Sequence, residues 1–136
     1  MKGPILDATA IWLAYNSAEN AGDFEGMGAL VSADLEVAVN GHPALGSAHD
    51  DLEAMHGLRA VYPDYRRQVD ETLAFGDRVV VRWRMSGASD RPDVPDLDVA
   101  GCSVVTVANG VLSSAYLYYD GAALDAVLEA AAKERS

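Results

Sequence analysis

The strongest candidate for acid–base chemistry is Asp120, which directly follows an apolar and aromatic segment at 115–119. Because side chains of a strand alternate between two faces, Asp120 would share a face with Tyr116 and Tyr118. A carboxylate among aromatic rings is poorly solvated, which raises its pKa toward the working range of a general acid or base. The competing interpretation is structural, since Asp120 also stands where a following helix needs an N-cap.

A second candidate is Tyr15, whose hydroxyl could donate a hydrogen bond to an enolate oxygen. One pre-positioned donor of this kind lowers a reaction barrier by about 3 kcal/mol. The helical spacing of Tyr15 with Ile11 and Trp12 is equally typical of a core tyrosine whose hydroxyl finds a buried partner. The sequence leaves both interpretations open.

Large apolar side chains and their neighbours are candidate walls for a substrate cavity. Residues of these types are also typical of an ordinary hydrophobic core. The candidate substrate-binding residues are Trp12, Met55, His56, Trp83, Cys102, Tyr116 and Tyr118.

Composition excludes several classes of partner. The chain has 21 acidic and 10 basic residues and a net charge of −11, which argues against binding to nucleic acid or anionic membranes. Cys102 is the only cysteine, and the three histidines lack metal-binding spacing, so we expect no metal. There is no glycine-rich nucleotide motif, and we expect no cofactor. Since no membrane span or signal peptide is recognisable, the expected location is cytoplasmic.

The elements that would position these residues are helices first and a meander afterwards. Apolar periodicity predicts a helix from Ala8 to a break at 20–23, a second helix capped by Asp23, and a third that runs from a capping box at 47–50 to Pro63. Turn signals include Gly76-Asp77 and Asn109-Gly110. Strands are predicted at 35–39, 65–75, 79–85, 99–107 and 111–119, with a closing helix near 124–131.

This order predicts an α+β fold in one domain spanning 1–136, with a curved antiparallel sheet wrapped around the N-terminal helices. A sheet that curls around a helix leaves a cone-shaped cavity where side chains are too small to fill it. Such cavities commonly bind small molecules. Arg82 and Arg84 alternate with Trp83, so we expect the two arginines on the outer sheet face, where a homodimer contact is predicted.

Several motifs accompany these elements. YPDYR at 62–66 is followed by GDRVVVRW at 76–83, and NG at 109–110 precedes YYD at 118–120. With the element order, these motifs resemble the SnoaL-like polyketide cyclases and the related steroid Δ-isomerases. Both belong to the nuclear transport factor 2-like superfamily, whose fold is also called the cystatin-like cone. The resemblance covers nearly the whole chain and implies that fold.

The resemblance also implies roles for individual residues. YNSAENAGD at 15–23 is similar to the isomerase helix that supplies an oxyanion-hole tyrosine, which would be Tyr15. The isomerase general base falls on Val39 and its second oxyanion donor falls near Cys102, so ketosteroid isomerisation by that route is not implied. SnoaL-like cyclases use an aspartate at the end of the last strand as acid and base, which corresponds to Asp120.

We therefore predict a cofactor-independent cyclase of secondary metabolism, as in antibiotic biosynthesis, acting on an apolar, polyketide-like carbonyl compound. Asp120 would move a proton during aldol-type or conformation-directed ring closure, and Tyr15 would stabilise the enolate oxygen. One alternative is a non-catalytic module of the same fold that binds a small molecule or dimerises. Others are an isomerase and an epoxide-opening hydrolase.

Overall fold

The computed structural model describes residues 7–89 and 91–120, and the closing helix predicted near 124–131 lies outside them. Within these ranges the helices are α1 (Ala8–Ala21), α2 (Phe24–Ala29) and α3 (Ala48–Val61). None of the described helices is long and apolar enough to span a bilayer. The strands in the same ranges are β1 (Val31–Val39), β2 (His42–Leu45), β3 (Arg66–Phe75), β4 (Arg78–Gly87), β5 (Leu97–Ala108) and β6 (Val111–Tyr119).

Side-chain caps fix where the helices begin. Asp7 accepts a hydrogen bond from the backbone N–H of Ala10 at 2.8 Å and starts α1. Asp23 and Ser47 do the same for α2 and α3, with N···O distances of 2.9 and 3.0 Å to backbone donors three residues on. Each cap satisfies an N–H group that the helix leaves unpaired. The predicted starts of all three helices are confirmed.

The six strands form one curved, open sheet in the order β2-β1-β6-β5-β4-β3. The meander from β3 to β6 is antiparallel as predicted, and its Asn109-Gly110 turn has positive φ at both residues. One pair departs from the predicted antiparallel arrangement, because β1 runs parallel to β6. Parallel neighbours need a long connection, and here α3 and the strands between β1 and β6 provide it.

Alternation along β4 gives the sheet its two faces. Val79, Val81 and Trp83 are fully buried on the inner face, whereas Arg82 and Arg84 are exposed on the outer face. The predicted orientation of the two arginines is therefore confirmed. Bulges at 69–71 in β3 and at 112–114 in β6 interrupt the register, and such bulges increase the twist and bend of a sheet.

Gly101 in β5 lets the Trp83 ring lie against the sheet. A Cβ atom at this position would lie 2.7 Å from Cη2 of Trp83 and 2.7 Å from the backbone oxygen of Tyr118. We expect Gly101→Ala to lower the free energy of unfolding by about 1–3 kcal/mol, because a packed core resists extra volume. Urea unfolding measures this loss. Gly46→Ala is the control, since a methyl group at that position would have nothing within 4 Å; equal stability of the two variants would contradict the packing argument.

Candidate active site

A cavity of about 310 Å³ lies between the inner face of the sheet and helices α1 and α3. This volume is at the lower end of the range typical of small-molecule sites. Polar side chains enter the cavity from α1, α3, β3 and β5, and they include Tyr15, Asp51 and Arg67. Much of the remaining wall is apolar and is formed by Leu35, Val37, Met55, Leu58, Met85, Leu112 and Leu117.

Tyr15 and Asp51 form a hydrogen-bonded pair in the cavity wall. The hydroxyl of Tyr15 on α1 donates to Oδ2 of Asp51 on α3 at 2.6 Å. Asp51 lies one and two helical turns before Met55 and Leu58, so all three occupy the side of α3 that faces the sheet. Asp51 is only 9% exposed, which is unusual for a carboxylate.

Burial sets the protonation behaviour of this pair. Desolvation raises the pKa of Asp51, while the hydrogen bond from Tyr15 and the positive charge of Arg67 partly oppose that rise. Burial also raises the pKa of Tyr15, and the nearby Glu19 and Asp51 carboxylates raise it further. Tyr15 therefore stays protonated as a donor, and Asp51 is the group in the pair that exchanges a proton.

A second polar network lies beside the first. Glu19 accepts a hydrogen bond from the Tyr65 hydroxyl at 2.8 Å on Oε1 and an ion-pair hydrogen bond from Nη2 of Arg67 on Oε2. Nε of Arg67 donates to Oδ1 of Asn16 at 2.8 Å, and its guanidinium carbon lies 5.0 Å from the Trp12 ring centre. Side chains from α1 and β3 thus hold a buried arginine in one orientation.

Arg67 and Glu19 each stabilise the ionised form of the other. Burial alone would lower the pKa of Arg67, but Glu19, Tyr65, Tyr15 and Asp51 together outweigh it and raise that pKa, so the guanidinium stays charged. Burial raises the pKa of Glu19, and Arg67 and the Tyr65 hydroxyl oppose the rise. Arg59 adds a hydrogen bond from Nη1 to the backbone oxygen of Glu19 at 3.2 Å.

The prediction that Asp120 faces the cavity is wrong. The β6 residues that line the cavity are Ala115, Leu117 and Tyr119, so alternation directs Tyr116 and Tyr118 to the other face. Tyr118 is 47% exposed, and Asp120 is exposed and does not line the cavity. The pairing of β6 with β1 decides which side chains of β6 point into the cavity. Val37 and Val39 of β1 face the cavity, and their register partners Ala115 and Leu117 face it with them.

Tyr15 lines the cavity, as its predicted catalytic role requires. Of the residues predicted as substrate-binding walls, only Met55 lines it. Trp12 is buried against Arg67, and Trp83 is buried in the core, where its Nε1 donates to Oγ of Ser103 at 2.8 Å. His56 is exposed and stacks on Phe24 with 3.8 Å between ring centres.

Cys102 faces away from the cavity because its neighbour Ser103 lines it, and strand neighbours point to opposite faces. The prediction of Trp12, His56, Trp83, Cys102, Tyr116 and Tyr118 as cavity walls is therefore wrong.

Sequence reasoning missed three ionisable groups of the site, namely Asp51, Glu19 and Arg67. Each stands in the apolar phase of its element: Glu19 is one turn after Tyr15 on α1, and Asp51 is one turn before Met55 on α3. Arg67 lies two residues after the buried Tyr65 and therefore on the same buried face. A charged residue at a core position was the available signal. Over residues 7–89 and 91–120, no group of three or more His, Cys, Asp or Glu side chains could hold a metal ion.

Comparison with solved structures shows the fold. The chain has a TM-score of 0.75 and 18% identity to a proposed SnoaL-like polyketide cyclase from Jannaschia sp. CCS1, over 94% of this chain and 96% of that one. IdmH, a proposed polyketide cyclase from Streptomyces antibioticus, gives a TM-score of 0.75 and 18% identity over 91% and 99%. A protein with a cystatin-like fold from Xanthomonas campestris gives 0.76 and 19% over 90% and 98%. The predicted cystatin-like, nuclear transport factor 2-like fold is confirmed.

Sequence comparison gives the family. No curated protein sequence matches the chain significantly. A family model described as a SnoaL-like domain matches residues 12–115, which include α3, the whole of β3 to β5 and the site residues Tyr15, Asp51 and Arg67. This match covers well over half of the chain, and the chain therefore belongs to the SnoaL-like domain family.

Proposed function

We propose that the protein is a cofactor-independent enzyme that closes a ring in a mostly apolar, polyketide-like carbonyl compound, with Asp51 as acid and base. The observation that carries this proposal is the Tyr15–Asp51 pair, a buried carboxylate held by a phenol in the wall of an apolar cavity. Family membership and the similarity to proposed polyketide cyclases support the reaction class.

The reaction requires a proton carrier and a shaped cavity. The Asp51 carboxylate removes a proton from a carbon next to a carbonyl, so that a C–H bond breaks and an O–H bond forms. The enolate carbon then attacks a second carbonyl of the same molecule and forms the C–C bond of the ring. The resulting alkoxide takes the proton back from Asp51. No atom is lost and no electron acceptor is required, and the cavity holds the chain in the folded shape that ring closure demands.

Tyr15 acts in this scheme as a positioning residue. Its O–H is committed to Oδ2 of Asp51, and no other donor among the described residues reaches that carboxylate. Oδ1 is therefore the oxygen left for the substrate. The predicted role of Tyr15 as the direct donor to an enolate is replaced by that of holding and orienting the base.

The base can be tested without knowing the natural substrate. The probe 5-nitrobenzisoxazole opens when a base removes its ring C–H proton: the N–O bond breaks, and a nitrile and a coloured phenolate form. We expect the protein to accelerate this opening with saturation, and the rate to rise with pH around a midpoint above the ordinary aspartate pKa of about 3.9. Saturable binding without acceleration would instead support the alternative of a non-catalytic binding module.

Tyr15→Phe is expected to move the midpoint of this pH–rate profile to higher pH. The hydrogen bond from Tyr15 lowers the pKa of Asp51 against the effect of burial, so its loss raises that pKa. At pH values between the two midpoints the variant is slower, because less of the carboxylate is ionised. Tyr118→Phe, on the outer face, is the control and should keep the profile of the unaltered protein. A midpoint that stays in place, or falls, would show that Tyr15 does not act on the base.

We also propose that the outer sheet face forms the predicted homodimer contact. Leu73, Val80, Val104 and Tyr116 are register partners on four adjacent strands and form one apolar row, in which Leu73 is 58% exposed. The other three are half-buried, and an apolar row of this kind can pack against the same row of a second copy across a two-fold axis.

Leu73→Glu is expected to weaken the dimer about tenfold or more, measured by light scattering across a concentration series. Leu13→Glu, at an exposed leucine of α1, is the control and should leave the oligomeric state unchanged. A monomeric unaltered protein would overturn the proposal. The cytoplasmic location and the role in antibiotic biosynthesis stay predictions.

A further inference from the structure

One nitrogen of the buried Arg67 is not used by the protein. Nε is held by Asn16 and Nη2 by Glu19, whereas Nη1 donates to no residue of the described ranges. Arg67 lines the cavity, so Nη1 is the part of this network that can reach a ligand. Stacking on Trp12 and the two hydrogen bonds fix the guanidinium plane, which makes the direction of Nη1 part of the fold.

One face of helix α1 holds both Arg67 and Asp51 at the cavity. Tyr15 and Glu19 are four residues apart on α1 and therefore adjacent on the same helix face, about 6 Å apart along the axis. Tyr15 holds Asp51, and Glu19 holds Arg67. Asp51 and Arg67 both line this cavity, so one ligand can contact the proposed base and the cation together.

We propose that Arg67, through Nη1, holds the enolate oxygen of a β-dicarbonyl substrate whose acidic carbon faces Asp51. This inference rests on the proposed function and supplies what that function lacks, because the hydroxyl of Tyr15 is committed to Asp51. When the C–H proton moves to Asp51, the electron pair of that bond moves onto the carbonyl oxygen. A charge-assisted hydrogen bond to Nη1 strengthens as this negative charge grows.

Two carboxylates near Arg67, those of Glu19 and Asp51, affect how tightly an enolate would bind. Both oxygens of Glu19 are already occupied, one by Tyr65 and one by Arg67, so Glu19 repels an enolate without competing for Nη1 as a new acceptor. Asp51 faces the same cavity and also repels an enolate while it is ionised. Neutralising either carboxylate should therefore tighten enolate binding, provided that Arg67 is the group that holds it.

The test uses 1-phenylbutane-1,3-dione, a β-diketone whose enolate has its own ultraviolet absorption band. Spectrophotometric titration against pH, with and without protein, gives the ratio of enolate to neutral affinity. We expect Asp51→Asn protein, in which no base can return the proton, to bind the enolate about tenfold more tightly than the neutral diketone. Equal affinity for the two forms would overturn the role of Arg67.

Three further variants, made in the Asp51→Asn protein, locate the effect. Arg67→Lys keeps a cation beside Glu19 but has only one nitrogen, so the enolate preference should fall about tenfold. Arg59→Lys is the matched control, since Arg59 bonds the backbone oxygen of Glu19 but does not line the cavity, and it should keep the preference. Glu19→Gln retains Arg67 and should raise the preference. A fall in Glu19→Gln, or a loss in Arg59→Lys equal to that in Arg67→Lys, would assign the effect to structure and overturn the proposal.

The outcomes separate this inference from the proposed function. Urea unfolding establishes that each variant is folded, and the measurement on Asp51→Asn needs no change at Arg67. Loss of enolate preference with intact opening of 5-nitrobenzisoxazole by the unaltered protein removes the role of Arg67 and leaves the base. Failure of that opening with a retained preference removes the base and leaves Arg67 as an anion-binding group.

Discussion

Replacing Asp51 with asparagine is expected to slow the opening of 5-nitrobenzisoxazole by about 10²–10⁴-fold, the usual contribution of a positioned general base. Asparagine has nearly the same shape and can still accept the hydrogen bond from Tyr15, but it cannot take up a proton at these pH values. The expected change is therefore in the turnover rate, with little change in the concentration of probe at half-saturation. Steady-state kinetics over a range of pH measures both quantities.

Two matched variants make this result specific. Asp50→Asn changes the neighbouring carboxylate in the same turn of α3, which is exposed and accepts only a backbone hydrogen bond from Gly46 among the described residues. Asp120→Asn changes the carboxylate that the sequence pattern favoured. Both should keep the full rate. If Asp51→Asn were as active as they are, or if Asp120→Asn lost the rate, Asp51 would not be the base.

The same substitution is expected to stabilise the folded protein at neutral pH. Burial raises the pKa of Asp51 above its unfolded value, so the folded state binds more protons than the unfolded state between these two values. Stability is therefore lost as pH rises through that window, and the ionised carboxylate is a cost above it. Asp51→Asn removes this cost. A residue whose loss stabilises the fold and abolishes the reaction has the properties of a functional group rather than a core residue.

The elements of the fold were readable from the sequence because local signals agree with the tertiary structure. Asp23 and Ser47 mark helix starts, and Asn109-Gly110 supplies the positive φ that a tight hairpin requires. The face of β6 was not readable, because tyrosine and leucine alternate there and either set could be buried. A long-range contact, the parallel pairing with β1, decides between them.

Of the hydrogen-bonded pair in the site, the sequence predicted Tyr15 but not Asp51. Tyr15 could be recognised because a motif of nine residues begins with it, and the structure places it in the cavity. Its partner is 36 positions away on another helix, in a stretch that also holds other acids, His49 and His56. Nothing local separates the buried Asp51 from the exposed Asp50. Only the packing of α3 against the sheet shows which acid enters the cavity.

Arg67→Met is expected to lower the free energy of unfolding by about 3–5 kcal/mol, the usual effect of removing one partner of a buried ion pair. The variant leaves Glu19 charged and buried, with the Tyr65 hydroxyl as its remaining side-chain donor among the described residues. It also removes the hydrogen bond to Asn16 and the cation over Trp12. Urea unfolding at constant pH measures the loss.

The size of this effect depends on burial, and a surface arginine provides the contrast. Arg82 pairs with Asp70 and Glu71 but is 59% exposed, so Arg82→Met should change stability by no more than about 1 kcal/mol. In the double variant Glu19→Gln with Arg67→Met, no charge remains uncompensated, and part of the loss should return. If the double variant were less stable than Arg67→Met alone, the buried charge of Glu19 would not be the cause. Recovery would mean that an uncharged pair can fill this place in the fold, and that the ion pair is kept for the charge it presents to the cavity.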